Sequence, residues 1–263
     1  NIMKRFSYSL LLFFVFGFVF SQSKIVVKET TYSSEGKNFK SYVIYDASKK
    51  GKLPVVMIVP EWWGVNDYAK YRAQKIAELG YFAMVVDMYG DGKSVEMPQE
   101  AQELATPFYQ NAVLAKQNFD AATAHVKTFK NANSGKVAAI GYCFGGAMVL
   151  NMARQNPELK GVVSFHGNLM TGVKPVHNNV KILVCNGAAD NFVPEKEIEE
   201  FKKEMTENKF DYQFINYPNA VHAFTNPNST AVGKKFNMNI AYNKSADVKS
   251  WQEMKTFLAK IFK

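Results

Sequence analysis

The feature that most constrains the fold is a regular alternation of short apolar runs with longer amphipathic stretches. The apolar runs are residues 55–59, 82–86, 136–140, 161–165, 181–185 and 212–215. Such short runs, rich in Val and Ile, are typical of strands that are covered on both faces of a parallel sheet. The amphipathic stretches between them are residues 67–79, 99–130, 145–155, 194–207 and 246–261. Strands that alternate with helices predict an α/β class with a mostly parallel, doubly wound sheet.

An antiparallel hairpin is predicted ahead of this alternation. Residues 25–30 and 39–45 alternate in polarity, and Glu35-Gly36-Lys37 lies between them as a turn. Hydrophobic residues make up 47% of the chain and charged residues 21%, which is ordinary for a globular protein. No long linker interrupts the pattern, so we expect one domain over residues 24–263.

The N-terminal segment has the layout of a secretory signal peptide. The basic pair Lys4-Arg5 precedes an apolar run, residues 10–20, which small and polar residues follow. This run is shorter than the roughly 20 residues that a membrane-spanning helix needs. We therefore expect residues 1–23 to form a signal segment that is cleaved near its end on export to the periplasm or outside, without stable membrane association afterwards. N-terminal sequencing should find mature protein beginning near Gln22 or Ser23, whereas a retained segment would indicate an uncleaved anchor.

The segment around Cys143 predicts a nucleophile. Gly141-Tyr142-Cys143-Phe144-Gly145 joins a predicted strand to a predicted helix, which is the nucleophile-elbow pattern with Cys in place of Ser. Glycines flank the nucleophile because a Cβ atom there would collide with neighbouring backbone. The start of the helix stabilises negative charge, and the Phe144 N–H can donate to an oxyanion. The alternatives, a phosphate-binding turn or a buried structural cysteine, are disfavoured because the glycine spacing is not Gly-x-Gly-x-x-Gly.

An acid and a base follow the nucleophile in the order that elbow-type hydrolases use. Asp190 lies just after the run 181–185, and His222 lies in a loop after the run 212–215. The aspartate would hold the histidine tautomer and stabilise its imidazolium form. A helix-capping role for Asp190 is the alternative.

The other three histidines fit a catalytic role less well. His125 falls within a predicted helix, and His177 lies in a polar loop. His166 ends the run 161–165, so it either lines the same cleft or only packs beside it.

Charge and cysteine content exclude other classes. The formal net charge is +9, but the lysines are scattered among acidic residues, which indicates a solvated surface and no nucleic-acid partner. The chain has only two cysteines, Cys143 and Cys185, without a cluster of further ligands, so we expect no metal. An exported protein with two cysteines would often form a disulfide. Because a nucleophile must be free, we expect two free thiols instead.

Five motifs make the chain resemble the dienelactone hydrolase family over nearly its whole predicted domain. They are Glu61-Trp62-Trp63-Gly64, Asp87-Met88-Tyr89, Gly141-Tyr142-Cys143-Phe144-Gly145-Gly146, Gly187-Ala188-Ala189-Asp190 and His222-Ala223-Phe224. The resemblance implies an α/β-hydrolase fold and hydrolysis of a small-molecule ester or lactone without a cofactor. A thioesterase or acyltransferase on the same site is one alternative. A non-catalytic periplasmic binding or thiol-redox protein is another.

The resemblance also implies roles for individual residues. Glu61 would contact the resting thiol and move when substrate binds, which is plausible because a nearby carboxylate disfavours a thiolate. The Trp62 N–H would be the second oxyanion donor. Side chains in or near these motifs are expected to contact substrate: Trp63, Tyr89, His166 and Phe224.

One departure from the family concerns the substrate. The founding dienelactone enzymes grip a substrate carboxylate with two arginines, and at those positions this chain has Gly90 or Asp91, and Asn226. A carboxylate would lose the bidentate bonds that arginine provides. The sequence therefore predicts a preference for neutral esters or lactones, unless Lys93 or a charged His166 takes over.

Overall fold

The computed structural model describes residues 23–263, so the predicted signal segment lies outside the described residues except for Ser23. Within residues 23–263, no helix combines the length and the hydropathy that a bilayer crossing requires.

One eight-stranded sheet organises the domain. Its strands are β1 (Ile25–Ser34), β2 (Lys37–Asp46), β3 (Leu53–Val59), β4 (Phe82–Val85), β5 (Ala132–Tyr142), β6 (Gly161–Phe165), β7 (Lys181–Gly187) and β8 (Tyr212–Tyr217). Their spatial order is β1-β2-β4-β3-β5-β6-β7-β8. The pairs β1·β2 and β2·β4 are antiparallel, and the other five pairs are parallel. This confirms the predicted mostly parallel sheet with an N-terminal antiparallel hairpin.

The hairpin closes through a tight turn between β1 and β2. Ser34 pairs with Lys37, which leaves Glu35 and Gly36 as the two turn residues. Both have positive φ, 50° and 76°. Two-residue turns of this kind match the right-handed twist of the flanking strands.

Seven helices cover the sheet in the described residues. They are α1 (Asp67–Glu78), α2 (Pro98–Gln110), α3 (Ala112–Val126), α4 (Phe144–Gln155), α5 (Glu195–Glu207), α6 (Ser229–Phe236) and α7 (Lys244–Ile261). The predicted amphipathic stretch 99–130 is two helices, because Asn111 adopts an extended conformation and caps α3 with its side chain. None of the predicted amphipathic stretches corresponds to α6.

The core lies on both faces of the sheet, in two apolar clusters. Because parallel strands end at the same edge, the residues that follow them converge there. Glu61 follows β3, Cys143 follows β5, His166 follows β6, Asp190 follows β7 and His222 follows β8. The fold thus brings together side chains that lie far apart in sequence.

Candidate active site

Cys143 occupies a strained turn between β5 and α4. Its backbone lies at φ 54° and ψ −116°, in a region that non-glycine residues rarely adopt. A Cβ atom on Gly141 would collide with the Gly145 backbone, and one on Gly145 would collide with the Val59 carbonyl. Only glycine fits at either position, so the sequence around Cys143 is dictated by close backbone packing.

Cys143, His222 and Asp190 form a continuous chain of contacts. The Nε2 atom of His222 lies 3.1 Å from Cys143 Sγ, and its Nδ1 atom lies 2.8 Å from Asp190 Oδ2. The other carboxylate oxygen, Asp190 Oδ1, accepts a hydrogen bond from the Phe192 N–H at 2.8 Å. Asp190 and His222 are buried, whereas Cys143 is partly exposed. Both imidazole nitrogens are thus occupied, one by an acid and the other by a thiol.

This arrangement favours a charged imidazole. Burial disfavours the imidazolium form, but a Cys143 thiolate and the Asp190 carboxylate outweigh it and raise the pKa of His222 to about 10. The geometry therefore favours the imidazolium form of His222 beside the Cys143 sulfur, and a thiolate is the reactive form of a cysteine nucleophile.

Two backbone N–H groups near Cys143 are free to bind an oxyanion. Within residues 23–263, neither the Trp62 N–H nor the Phe144 N–H donates to a backbone carbonyl. Phe144 is the first residue of α4, where the helix dipole favours negative charge. The Trp62 carbonyl accepts a 3.0 Å hydrogen bond from the Tyr89 hydroxyl. This bond restrains the peptide group that follows the one carrying the Trp62 N–H.

A cavity of about 150 Å³ opens onto the thiol. Its walls are mainly apolar, and in the described part of the chain they include no lysine or arginine. The lining residues are Glu61, Trp62, Trp63, Cys143, Asn168, Phe192, His222, Ala223, Met238 and Ile240.

Of the four predicted substrate contacts, only Trp63 lines this cavity. Tyr89 is buried and packs against the Phe144 ring, with 5.6 Å between ring centroids. His166 and Phe224 are both 0% exposed and pack edge-to-face behind the site. The structure therefore places Tyr89, His166 and Phe224 as supports behind the cavity wall.

Glu61 lines the cavity but bonds to a different partner than expected. Its Oε2 atom accepts a 2.8 Å hydrogen bond from Asn226 Nδ2, while the Cys143 thiol contacts His222. Burial raises the pKa of Glu61 to about 7, although Asn226, His222 and Arg72 oppose this shift. The carboxylate is thus close to its titration point at neutral pH.

The raised pKa of Glu61 predicts that Glu61→Gln stabilises the protein at neutral and basic pH, but not at acidic pH. Because the folded pKa is about 7 and the usual value is 4.5, the unfolded state ionises first as pH rises. The free energy of unfolding of the wild type should therefore fall by about 1–3 kcal/mol as pH rises from the usual pKa to the folded one. Gln keeps an oxygen that accepts from Asn226. Urea unfolding of both proteins near pH 4 and pH 8 measures the difference, and a difference independent of pH would contradict this linkage.

The positions that replace the family's arginines do not present charge to the cavity. Asp91 is exposed and lines a separate groove beside β1 and β2. Lys93 is exposed, and its carbonyl accepts from the Val65 N–H. Asn226 is committed to Glu61. In this arrangement, Asp91 is not placed to repel a substrate carboxylate in the cavity. Lys93 is not placed to bind one there either.

Several residues of the cavity wall were not predicted from the sequence. Asn168 and Phe192 each lie two residues beyond a predicted site residue. Their positions after strand ends could therefore have identified them as residues of the site. Met238 and Ile240 follow α6 and belong to no motif. Ile240 reaches the site through an isolated parallel bridge to His222.

Comparisons with known proteins find a matching family profile and similar structures. The profile described as "Dienelactone hydrolase family" matches residues 39–262. A candidate carboxymethylenebutenolidase of Escherichia coli (strain K12) is 29% identical over 218 residues, which cover 76% of this chain and 78% of that protein. The crystal structure of a dienelactone hydrolase-like promiscuous phosphotriesterase from metagenomic libraries superposes with a TM-score of 0.84 at 30% identity. It covers 91% of this chain and 99% of that one. A candidate dienelactone hydrolase from Klebsiella pneumoniae shares the fold, with a TM-score of 0.76 at 24% identity over 90% of this chain and 99% of that one.

Proposed function

The chain belongs to the dienelactone hydrolase family and is a carboxylic ester hydrolase of α/β-hydrolase fold, and we propose that it works through an acyl-enzyme on Cys143. The observation that carries this proposal is the contact chain from Asp190 through His222 to the thiol, at 2.8 Å and 3.1 Å. Such a chain activates a nucleophile and returns a proton to the leaving group.

In the first half-reaction, the Cys143 thiolate attacks the carbonyl carbon of an ester or lactone. The N–H groups of Trp62 and Phe144 stabilise the oxyanion that forms. As the tetrahedral intermediate collapses, the C–O bond breaks and the His222 imidazolium gives its proton to the leaving alkoxide. The product of this step is a thioester on Cys143 and a neutral imidazole held by Asp190.

In the second half-reaction, neutral His222 takes a proton from water, and the resulting hydroxide attacks the thioester. The second intermediate expels the Cys143 thiolate and leaves a carboxylic acid, while the imidazolium is restored. Acid, base and nucleophile are all supplied by side chains, so these steps use no cofactor.

A screen of short-chain esters and lactones tests this function, with Cys143→Ala as the blank. Ester turnover that depends on Cys143 is the expected result. Adding an amine or alcohol acceptor separates hydrolysis from acyl transfer, because a transferase would form the new amide or ester in preference to the free acid. Stoichiometric alkylation of Cys143 without any turnover would favour the thiol-redox or binding alternative.

Neutral substrates should react faster than anionic ones. The lining of the described cavity holds no lysine or arginine, and its charged imidazole, His222, is already paired with Asp190. Glu61 adds a titrating carboxylate, so an incoming carboxylate gains no new ion pair. We expect kcat/KM for the methyl ester of a lactone acid to exceed that for the free acid by about tenfold or more at pH 7.5. Ring opening is followed for both compounds. A tenfold advantage for the free acid would refute this prediction, and Lys93→Ala would then show whether that lysine binds the carboxylate.

A further inference from the structure

Three non-glycine residues with positive φ surround the candidate site. They are Cys143 at 54°, His166 at 42° and Ala223, the residue after His222, at 58°. Backbone strain of this kind persists only where the surroundings over-determine the conformation. The nucleophile and the base each lie in or beside a strained turn, and His166 is the third strained position.

The imidazole of His166 joins those two turns. Its Nδ1 atom lies 3.1 Å from the Cys143 backbone N, which also donates to the Phe165 carbonyl at 3.0 Å. Its Nε2 atom lies 2.8 Å from Thr225 Oγ1, three residues beyond His222. Because a backbone N–H can only donate, Nδ1 accepts, and Nε2 carries the proton that Thr225 accepts.

His166 is held neutral and in place. Burial, with the nearby charges of His222 and Arg72, holds the pKa of His166 well below its usual range. A Cβ atom on the next residue, Gly167, would lie 2.6 Å from the Ala147 nitrogen of α4, so the backbone is packed against that helix. The ring also meets the Phe224 ring edge-to-face, with 5.2 Å between centroids.

The far end of the bridge is anchored as well. Thr225 Oγ1 lies 2.7 Å from the Tyr68 hydroxyl of α1, and the Thr225 carbonyl accepts from the Arg72 guanidinium. Arg72 in turn pairs with Asp247 of α7. The loop that carries His222 is thereby tied to two helices of the scaffold.

We propose that His166 is a positioning residue that sets the separation of Cys143 and His222 by bridging the nucleophile turn to the base loop. This inference rests on the proposed function. His166 does not line the described cavity, and it acts through the backbone of Cys143 and the side chain of Thr225. Loss of the bridge should weaken the contact between thiol and imidazole, and with it the reactive thiolate.

Three variants test the bridge, with Ser164→Ala as a matched control. His166→Phe removes both hydrogen bonds of the imidazole and keeps a ring. Thr225→Val removes the bond to His166 Nε2, together with the bond to the Tyr68 hydroxyl, at nearly constant shape. His166→Asn keeps an oxygen that accepts from the Cys143 N–H. Ser164 lies in β6, the strand that His166 follows, and its buried hydroxyl has no hydrogen-bond partner in the described residues. Ester kinetics are measured together with the rate at which iodoacetamide alkylates Cys143 at pH 7.

For His166→Phe we expect kcat to fall about 10²-fold while KM changes less than about threefold. The kcat values of Thr225→Val and His166→Asn should fall about tenfold, because each variant retains part of the bridge. Alkylation of Cys143 should slow in the same order, and Ser164→Ala should resemble the wild type. Should His166→Phe not fold, the other two variants decide.

Folded His166→Phe and Thr225→Val proteins with wild-type kcat and alkylation rate would overturn the proposal, as would an equal loss in Ser164→Ala. Failure of the proposed function looks different, because the wild type would then show no ester turnover dependent on Cys143. The alkylation rate is measured without an ester substrate, so it tests the role of His166 even in that case.

Discussion

Replacing Cys143 with alanine is expected to lower kcat for ester hydrolysis by at least ~10³-fold, because the covalent step is lost. The remaining oxyanion donors, the N–H groups of Trp62 and Phe144, would still bind substrate, so KM should change far less than kcat. Steady-state kinetics on the best ester from the screen measure both constants. The variant should unfold at nearly the wild-type temperature, since the thiol is partly exposed.

The matched control is Cys185→Ala. Cys185 is a free thiol in β7, is 0% exposed, and is absent from the cavity lining. Removing its sulfur should reduce stability through a small cavity but leave kcat within a few-fold of the wild type. If Cys143→Ala kept its turnover, or if both cysteine variants lost it equally, the acyl-enzyme mechanism would be refuted.

His222→Ala is expected to lower kcat by about 10³-fold as well, since it removes the proton carrier of both half-reactions and the partner of the thiolate. Asp190→Asn should be less severe, because the imidazole stays in place but loses the carboxylate that stabilises its charged form. Alkylation of Cys143 should also slow in both variants. The same ester assay and alkylation rate serve as measurements.

His125→Ala is the control for this series. His125 lies in α3, contacts Thr30 on β1 at 2.7 Å, and is remote from the cavity. Its loss should leave both rates near the wild type. A His222→Ala protein that retained wild-type kcat would show that another group carries the proton, and Glu61, which lines the cavity, would be the first to test.

The sequence predicted the frame of the sheet because buried parallel strands leave a local signature. Gly161–Phe165 coincides with β6 to the residue, whereas β5 begins several residues earlier than predicted, at Ala132. Its polar first residues carry no apolar signal. The break at Asn111 was also hidden, because the residues on both sides continue an amphipathic pattern and only the backbone angles reveal the interruption.

The site residues, too, were predictable only in part. Cys143, Asp190 and His222 could be found because each follows a strand end in a recognisable motif, and the structure brings them into contact. What the sequence could not show is orientation. His166 follows a strand end just as Asp190 does, yet its ring points behind the cavity. Glu61 lies in the cavity, yet Asn226 holds its carboxylate, and a pairing across that distance in sequence has no local pattern.

The cavity of about 150 Å³ is smaller than most small-molecule sites, which commonly hold about 300–1,000 Å³. It can enclose the acyl portion next to the scissile bond, while the rest of a larger substrate stays in water beyond Phe192, which is 45% exposed. Each methylene that enters should strengthen binding by about 0.8 kcal/mol until the space is full. A homologous series of esters should therefore show a break in log(kcat/KM) against acyl-chain length, and the chain length at the break would measure the depth of the pocket in solution.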